Sequence, residues 1–119
     1  MVTETTTDDE PTVESRDELY NQNAFIELLG KRSHLKVFIA LLDAPEPLNP
    51  SAIAENADID QSTFYVARDA LLDYGVIEQV DMIGNSPRFA LVKDSELATE
   101  LRKVADLAGA RQRELSVNE

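Results

Sequence analysis

The chain has 119 residues, of which 43% are apolar, so it can form one domain together with a flexible extension. It contains no cysteine and one histidine, which excludes disulfides, thiolate metal sites and metal sites built from several histidines. Its formal charge is −12, and an acidic protein of this kind ordinarily repels nucleic acid.

The acidity is also typical of proteins from halophiles. The chain carries 23 acidic and 11 basic residues, and only four of the bases are lysines. Salt above about 1 M shortens the Debye length to about 3 Å, which removes most of the long-range repulsion between such a protein and DNA. No apolar run approaches the ~20 residues of a membrane span, and the acidic start is the reverse of a signal peptide. We therefore expect a soluble, cytoplasmic protein.

The amino-terminal part is acidic and then helical. Residues 1–18 hold seven acids, one arginine and few large apolar groups. This composition predicts a disordered acidic tail, which either solvates the protein or binds a partner. The apolar residues that follow indicate a first helix from 19 to 29, ending at Gly30.

A second helix is predicted from Ser33, as its N-cap, to Asp43. A basic cluster lies at its start, and it is either a solvated surface or a contact for phosphate. The cluster consists of Lys31, Arg32 and Lys36.

Two further helices with a tight turn between them follow. Asn49 is a suitable N-cap and Pro50 suits the first helical position, so a short helix begins here and stops near residue 56 or 57. The next helix runs from Asp60, as its N-cap, to a stop at Gly75, which takes the left-handed conformation without strain. A period of 3.6 residues gives this helix an apolar inner face of Phe64, Ala67, Leu71 and Tyr74.

A β-hairpin and a long helix complete the chain. Residues 76–83 and 88–92 are predicted as strands, joined by a turn at 84–87. A helix of about 30 Å is predicted from Ser95 to about Leu115, which is longer than a small domain needs. Its apolar residues alternate in spacings of four and three until Arg111 interrupts them, and this seam predicts dimerisation, although one end must also cover the domain core. The seam consists of Leu97, Leu101, Val104, Ala108 and Leu115.

Four segments carry a family resemblance: LGKRSHLKVF at 29–38, PSAIAE at 50–55, STF at 62–64 with Leu71, and GVIE at 75–78. They resemble the winged helix-turn-helix regulators of the ArsR/MarR type, and the likeness is greatest to small regulators of halophilic archaea. The resemblance covers about residues 25–92. It implies binding to duplex DNA, usually as a homodimer.

The predicted fold is therefore mainly α with a small β-hairpin (α+β), a winged helix-turn-helix with a long C-terminal helix. We expect a disordered acidic tail at 1–18, the winged helix-turn-helix domain at 19–93 and a dimerisation helix at 94–119.

Two positions depart from the family pattern. Asp58 stands where the turn usually has glycine, but aspartate tolerates the left-handed region better than most residues. Arg68 stands where an apolar residue is usual, and its guanidinium is expected to reach either a phosphate or the carboxylate of Asp43 or Asp69. The clustered Cys and His of ArsR metal sensors are absent from the sequence, so we expect no metal and no cofactor.

The first residues of a recognition helix face base edges in the major groove. Gln61 suits adenine, Ser62 suits several bases, and Tyr65 suits a phosphate or a thymine methyl. The start of the preceding helix attracts phosphate, and wing residues 83–88 are expected to reach the backbone or the minor groove. The predicted DNA-binding residues are Ser51, Gln61, Ser62, Thr63, Tyr65, Arg68, Asn85, Ser86 and Arg88.

Two acidic residues restrict this interpretation. Asp69 and Asp73 lie on the outer face of the same helix and would repel phosphate, so only Gln61 to Tyr65 suits DNA. A winged helix also serves as a protein-docking module in transcription or replication assemblies, and an acidic surface suits that alternative. An enzyme is not expected, since the sequence has no nucleophile–histidine pair, no Gly-rich phosphate loop and no cluster of metal ligands. Whether an effector is sensed stays open, because no polar constellation marks a pocket.

Overall fold

The computed structural model describes residues 13–117, which divide into two compact units, and the boundary in the chain falls between Lys31 and Arg32. The first unit contains α1 (Val13–Asn21) and α2 (Ala24–Leu29). The second contains α3 (Arg32–Asp43), α4 (Pro50–Ala57), α5 (Gln61–Asp73), β1 (Ile77–Ile83), β2 (Ser86–Leu91) and α6 (Glu96–Val117). The described residues are mainly helical with a two-stranded antiparallel hairpin, which confirms the predicted fold class.

The first unit has two helices where the sequence predicted one. Asn23 separates them because its side-chain oxygen accepts hydrogen bonds from the backbone N–H groups of Phe25 (2.9 Å) and Ile26 (3.3 Å) and so starts a new helix. α2 ends at Gly30 as predicted. A Cβ at Gly30 would collide with the carbonyl oxygen of Ile26, so the close approach of the chain requires glycine.

The start of α1 corrects the predicted acidic tail. α1 begins at Val13, so the prediction of disorder is wrong for residues 13–18, and residues 1–12 lie outside the described part of the chain. Glutamate and arginine in this segment favour a helix even though the segment is acidic. Asn21 also donates a hydrogen bond to the carboxylate of Asp17 one turn earlier (3.4 Å).

The core of the second unit lies between α3, α4, α5 and the hairpin. α3 begins one residue earlier than predicted, so Ser33 already has a helical backbone and is not the N-cap. Phe64 of α5 is fully buried, and its ring meets the ring of Phe89 in β2 edge-on at 5.6 Å between centroids. The other buried side chains of this core include Val37, Phe38, Leu41, Ile53, Ala57, Ala67, Leu71, Val76 and Ile77.

The helix-turn-helix closely matches its prediction. The side-chain oxygen of Asn49 accepts a hydrogen bond from the backbone N–H of Ala52 (2.8 Å), and Pro50 is the first helical residue of α4. Asp58 ends α4 with a left-handed backbone (φ 58°, ψ 53°), so this aspartate takes the conformation for which glycine is usual. Together the cap at Asn49 and the left-handed Asp58 fix the direction in which the chain enters α5.

α5 shows the predicted inner face but not the predicted capping bond. Phe64, Ala67 and Leu71 are buried, whereas Tyr74, the fourth predicted member of this face, is half-buried and caps the end of the helix. Gly75 after the helix has φ +71°. Asp60 has the extended backbone of an N-cap (φ −73°, ψ 153°), but its side chain makes no capping hydrogen bond. Its exposed carboxylate still lies at the positive end of the helix dipole, which favours a negative charge there.

The wing is longer than predicted because its turn is shorter. Ser86 and Pro87 pair with Ile83 and Met82, so only Gly84 and Asn85 connect the strands, not residues 84–87. Gly84 has φ +63°, and glycine at the first of two turn residues is typical of the type II′ hairpin turn. The prediction had placed Pro87 in the turn, but proline is tolerated in a strand that has a free edge.

A β-bulge and a short bridge shape the base of the wing. The register shifts between Gln79 and Asp81, which leaves Val80 as the extra residue and places Asp81 opposite Arg88. Leu48, in the segment that joins α3 to α4, pairs with Phe89 through hydrogen bonds of 3.0 and 2.8 Å. The wing is thereby attached to the helical part of the unit.

Candidate nucleic-acid interface

A depression of about 370 Å³ lies where the start of α4, the start of α5 and the tip of the wing come together. Five of the predicted DNA-binding residues line it, and two prolines complete its wall. The lining residues are Pro50, Ser51, Gln61, Tyr65, Asn85, Ser86 and Pro87. Residues far apart in the sequence therefore form one surface of neutral polar groups and a phenol ring.

Local structure explains why these side chains meet. The Asn49 cap fixes the start of α4, so Ser51 lies in its first turn. Gln61 and Tyr65 are four residues apart on α5 and therefore lie on the same side of that helix. The two-residue turn places Asn85 and Ser86 at the end of the wing. Pro87, which the sequence reasoning had treated only as part of a turn, forms part of the wall.

Four of the nine predicted residues lie outside this depression, namely Ser62, Thr63, Arg68 and Arg88. Ser62 is exposed on the outer face of α5, and Thr63 is half-buried. Their positions follow from the helical period, since each residue turns the chain by about 100°. Ser62 still shares the outer face with the depression, whereas Thr63 lies more than a quarter of a turn away from it.

Arg68 is held by its own helix. Its guanidinium donates to the carboxylate of Asp69 through Nε (3.2 Å) and Nη2 (3.0 Å), and its central carbon lies 5.0 Å from the centre of the Tyr65 ring. Of the two carboxylates expected as partners of Arg68, the structure pairs it with Asp69. The positive charge beside the depression is therefore largely compensated.

Arg88 is held at the base of the wing. The bulge brings it opposite Asp81, and Nε and Nη2 donate two parallel hydrogen bonds of 2.8 Å each to the two carboxylate oxygens. Nη1 lies 3.4 Å from the carbonyl oxygen of Pro47 and 3.8 Å from the carboxylate of Glu46. The sequence reasoning missed Asp81 because a regular register would not have placed it opposite Arg88.

This ion pair changes the acidity of both groups. The hydrogen bonds from Arg88 lower the pKa of Asp81 below its usual value. The same hydrogen bonds raise the pKa of Arg88 above its usual value. Both groups therefore stay charged at neutral pH, and Arg88 can contact a phosphate only if it releases Asp81.

The surroundings of the depression are acidic. Residues 50–92 contain seven acidic residues and two arginines, and both arginines are paired with carboxylates. Asp69 and Asp73 are exposed on the outer face of α5, as predicted. A ligand of this surface is therefore bound mainly by neutral polar groups of the protein, or through cationic groups of the ligand that the carboxylates attract.

The predicted dimerisation seam on α6 is largely exposed beyond its first turns. Ala98 is buried and Leu101 is half-buried, whereas Val104 is 60% exposed and Leu115 is 55% exposed. The sequence reasoning missed Leu107, which is 69% exposed and lies three residues after Val104 on the adjoining side. Arg111, which interrupts the seam, forms an ion pair with Glu114 of the same helix (3.0 Å).

In residues 13–117 no group of three or more His, Cys, Asp or Glu side chains could hold a metal ion. None of the helices in the same residues combines the length and the hydrophobicity that crossing a membrane requires.

Several solved structures of transcriptional regulators have a similar fold. The transcriptional repressor BigR from Xylella fastidiosa matches with a TM-score of 0.61 and 17% identity, over 84% of this chain and 96% of that one. The homodimeric winged helix-turn-helix DNA-binding domain of a possible ArsR-family regulator from Mycobacterium bovis matches with a TM-score of 0.59 and 15% identity, over 89% and 94%. A MarR-family transcriptional regulator from Silicibacter pomeroyi matches with a TM-score of 0.57 and 20% identity, over 82% and 68%. The described residues thus have the fold of winged-helix transcriptional regulators.

A further match is of a different kind. Human N-acetylserotonin methyltransferase matches with a TM-score of 0.51 and 16% identity, over 75% of this chain but only 26% of the enzyme. The winged-helix fold therefore also occurs as a minor part of larger proteins, so fold similarity by itself does not establish function. No protein-family model and no curated protein matches the sequence.

Proposed function

We propose that this protein is a transcriptional regulator of the ArsR/MarR type that binds specific sites on duplex DNA as a homodimer. The observation that carries the proposal is the depression in which Ser51, Gln61, Tyr65, Asn85 and Ser86 come together. A winged helix contacts DNA with the start of its second helix-turn-helix helix and with its wing, and these are the elements that supply this depression.

The first turns of α5 are proposed to read bases in the major groove. Gln61 is exposed and can make paired hydrogen bonds to the edge of adenine. Ser62 and Thr63 provide hydroxyl groups, and Tyr65 provides a ring for a thymine methyl. Asp69 and Asp73 lie one and two turns later, where the helix would be leaving the groove.

The backbone is proposed to be held at two places. The free N–H groups at the start of α4, beside the hydroxyl of Ser51, suit one phosphate. The wing residues Asn85 and Ser86 suit a second phosphate or the minor groove. Arg68 and Arg88 add contacts only by exchanging Asp69 and Asp81 for phosphate.

The scarcity of free basic groups predicts a weak dependence on salt. Each phosphate that a basic side chain neutralises contributes about 0.9 to the slope of log affinity against log salt. With two arginines available, the slope should not exceed about two units per protomer. This property suits a protein that works in molar salt, and we propose a halophilic archaeal source on the same grounds.

The exposed part of α6 is proposed to form the dimer. Val104, Leu107 and Leu115 expose apolar surface on a helix of 22 residues, and pairing with a second copy would cover it. Two-fold symmetry then requires a pseudo-palindromic DNA site, with half-sites about 34 Å apart for adjacent major grooves on one side of the duplex.

Binding to DNA from upstream of its own gene tests the proposal. Fluorescence polarisation in molar KCl should detect a specific complex, and Gln61→Ala should weaken it by about 1–3 kcal/mol, the usual contribution of a paired contact to a base. Gln112→Ala makes the same chemical change on the exposed surface of α6 and should bind like wild type. Absence of a specific complex, or equal affinity of the two variants, would rule out this mode of binding.

The acidity around the depression favours a second candidate, a protein-docking module. Both arginines of residues 50–92 are paired, so the surface is left with unpaired carboxylates that suit a basic partner protein. In this case Asp73→Asn would weaken capture of the partner. The same substitution would strengthen DNA binding if the first candidate is correct, because it removes a charge that repels phosphate.

A further inference from the structure

A larger groove, of about 720 Å³, lies between α3, the segment 44–48 and the end of α4. It belongs entirely to the second unit and does not share residues with the depression described above. Small-molecule sites commonly measure about 300–1,000 Å³, so the groove has a suitable size. Its apolar lining consists mainly of Leu35, Ile39, Ala40, Pro45, Leu48 and Ala57.

The apolar wall of the groove faces solvent. Leu35 is 41% exposed and Ile39 is 42% exposed, although both belong to a helix whose opposite face is buried. They are four residues apart, so they form one continuous strip along α3. An apolar group that covered this strip would be stabilised by the removal of that surface from water.

The charges at the groove are arranged along its length. Arg32 and Lys36 line it at the start of α3, and Asp43 lines it seven residues after Lys36, about 10 Å further along the helix axis. In the described part of the chain neither Arg32 nor Lys36 forms an ion pair, in contrast to Arg68 and Arg88. The negative group of a ligand is therefore attracted only to the end of the groove that contains Arg32 and Lys36.

We propose that this groove binds a small amphipathic organic anion, with its anionic head at Arg32 and Lys36 and its apolar body over Leu35 and Ile39. A cationic or neutral amphiphile lacks the attraction to the basic end. A small inorganic anion lacks the apolar contacts. The site therefore selects for both parts of the ligand together.

The walls of the groove connect it to the proposed DNA surface. Leu48 is hydrogen-bonded to Phe89 of the wing, and the adjoining Pro47 accepts from Arg88. Ala57 is the last residue of α4, directly before the left-handed Asp58 of the helix-turn-helix. A bound ligand would thus contact Leu48, which attaches the wing, and Ala57, which precedes the turn of the helix-turn-helix, and would alter DNA affinity. This effect on DNA affinity rests on the proposed function, whereas binding of the ligand to the groove does not.

Titration of the full-length protein with octanoate, followed by NMR of its methyl groups, tests the proposal directly. The methyl signals of Leu35, Ile39 and Leu48 should shift in a saturable manner. Hexanoate should bind more weakly by up to about 15-fold, since each of the two missing methylenes contributes about 0.8 kcal/mol when fully buried. Octanol and octylammonium should each bind at least tenfold more weakly than octanoate.

Charge substitutions locate the anionic head. Lys36→Glu and Arg32→Glu should each weaken octanoate binding at least fivefold, while Lys93→Glu, the same change at an exposed residue outside the groove, should have no effect. Thermal unfolding verifies that each variant is folded, and Lys36→Gln replaces Lys36→Glu if it is not. Equal binding by octanoate and octylammonium, or unchanged binding in the groove variants, would overturn the proposal.

Three further outcomes separate this proposal from its alternatives. Shifts of the same methyl signals on dilution, without octanoate, would show that a second copy of the chain covers the groove and would overturn the proposal. Saturable octanoate binding by a protein that forms no DNA complex would uphold the groove and refute the DNA-binding function instead. Octanoate binding that leaves DNA affinity unchanged would remove the coupling and retain the site.

Discussion

Release of the wing arginine offers a direct test of how charge is distributed over the proposed DNA surface. Arg88 donates two hydrogen bonds of 2.8 Å to Asp81 through Nε and Nη2, so this pair of donors is not available for a paired contact to phosphate. Asp81→Ala removes that partner. The remaining carboxylate, Glu46, lies 3.8 Å away and its side chain is 72% exposed, so solvent weakens its attraction.

The expected effect is a steeper dependence on salt. If Arg88 then neutralises one additional phosphate per protomer, the slope of log affinity against log salt increases by about 0.9. A fourfold increase in salt should therefore weaken the variant by about 3.5-fold more than it weakens wild type. At the lowest salt the variant should bind more tightly than wild type.

Glu78→Ala is the matched control, because it also removes one carboxylate from β1 and Glu78 is exposed without forming an ion pair in the described part of the chain. Fluorescence polarisation over a series of KCl concentrations gives the slope for each variant. A uniform loss of negative charge would raise the affinity of both variants equally without a difference in slope. Equal slopes for Asp81→Ala and Glu78→Ala would refute the interpretation of Asp81 as the group that restrains Arg88.

Three further outcomes follow from the described contacts. The pKa of Asp81 is lower in the folded protein than in the unfolded chain. The stabilisation that the Asp81–Arg88 pair provides is therefore complete above the unfolded-state pKa and is lost as the pH falls through the folded-state pKa. NMR titration of the Asp81 carboxyl group should show the lowered pKa, and Arg88→Ala should return it to the usual range. Asn49→Ala should lower the free energy of unfolding by about 1 kcal/mol in urea denaturation, because its side chain caps α4, whereas Asp60→Ala should cost clearly less because its side chain makes no capping bond. Val104→Glu should convert a dimer into a monomer in light scattering, while Thr99→Glu, about 140° away around α6, should not; a dimer that persists in both variants would exclude α6 as the interface.

Local signals in the sequence predicted most of the second unit. Asn49 and Pro50 start a helix by chemistry that depends only on their immediate neighbours, and Asp58 and Gly75 take left-handed conformations for similarly local reasons. The inner face of α5 followed from the helical period, because one buried side requires one apolar strip. Five of the seven residues that line the depression were among the predicted ones, because the starts of α4 and α5 and the tip of the wing depend on such local signals.

The errors arose where distant or competing contacts decide the structure. Asn23 suited either the interior or the start of a helix, and its side-chain hydrogen bonds to Phe25 and Ile26 select the start. The partner of Arg88 depends on the bulge at Val80, which pairs Arg88 with Asp81, and no local pattern marks that bulge. The groove along α3 could not be recognised either, because it forms only when the segment 44–48 folds back beside that helix.

The bridge between Leu48 and Phe89 also bears on how the wing avoids aggregation. A two-stranded hairpin exposes the outer edge of each strand, and a free edge can pair with another chain. On β2 the N–H of Phe89 faces outward and is used by Leu48, while Pro87, two residues earlier on the same edge, has no N–H to offer. An incoming strand would therefore find neither donor, so this edge of β2 does not act as a template for intermolecular β-sheet.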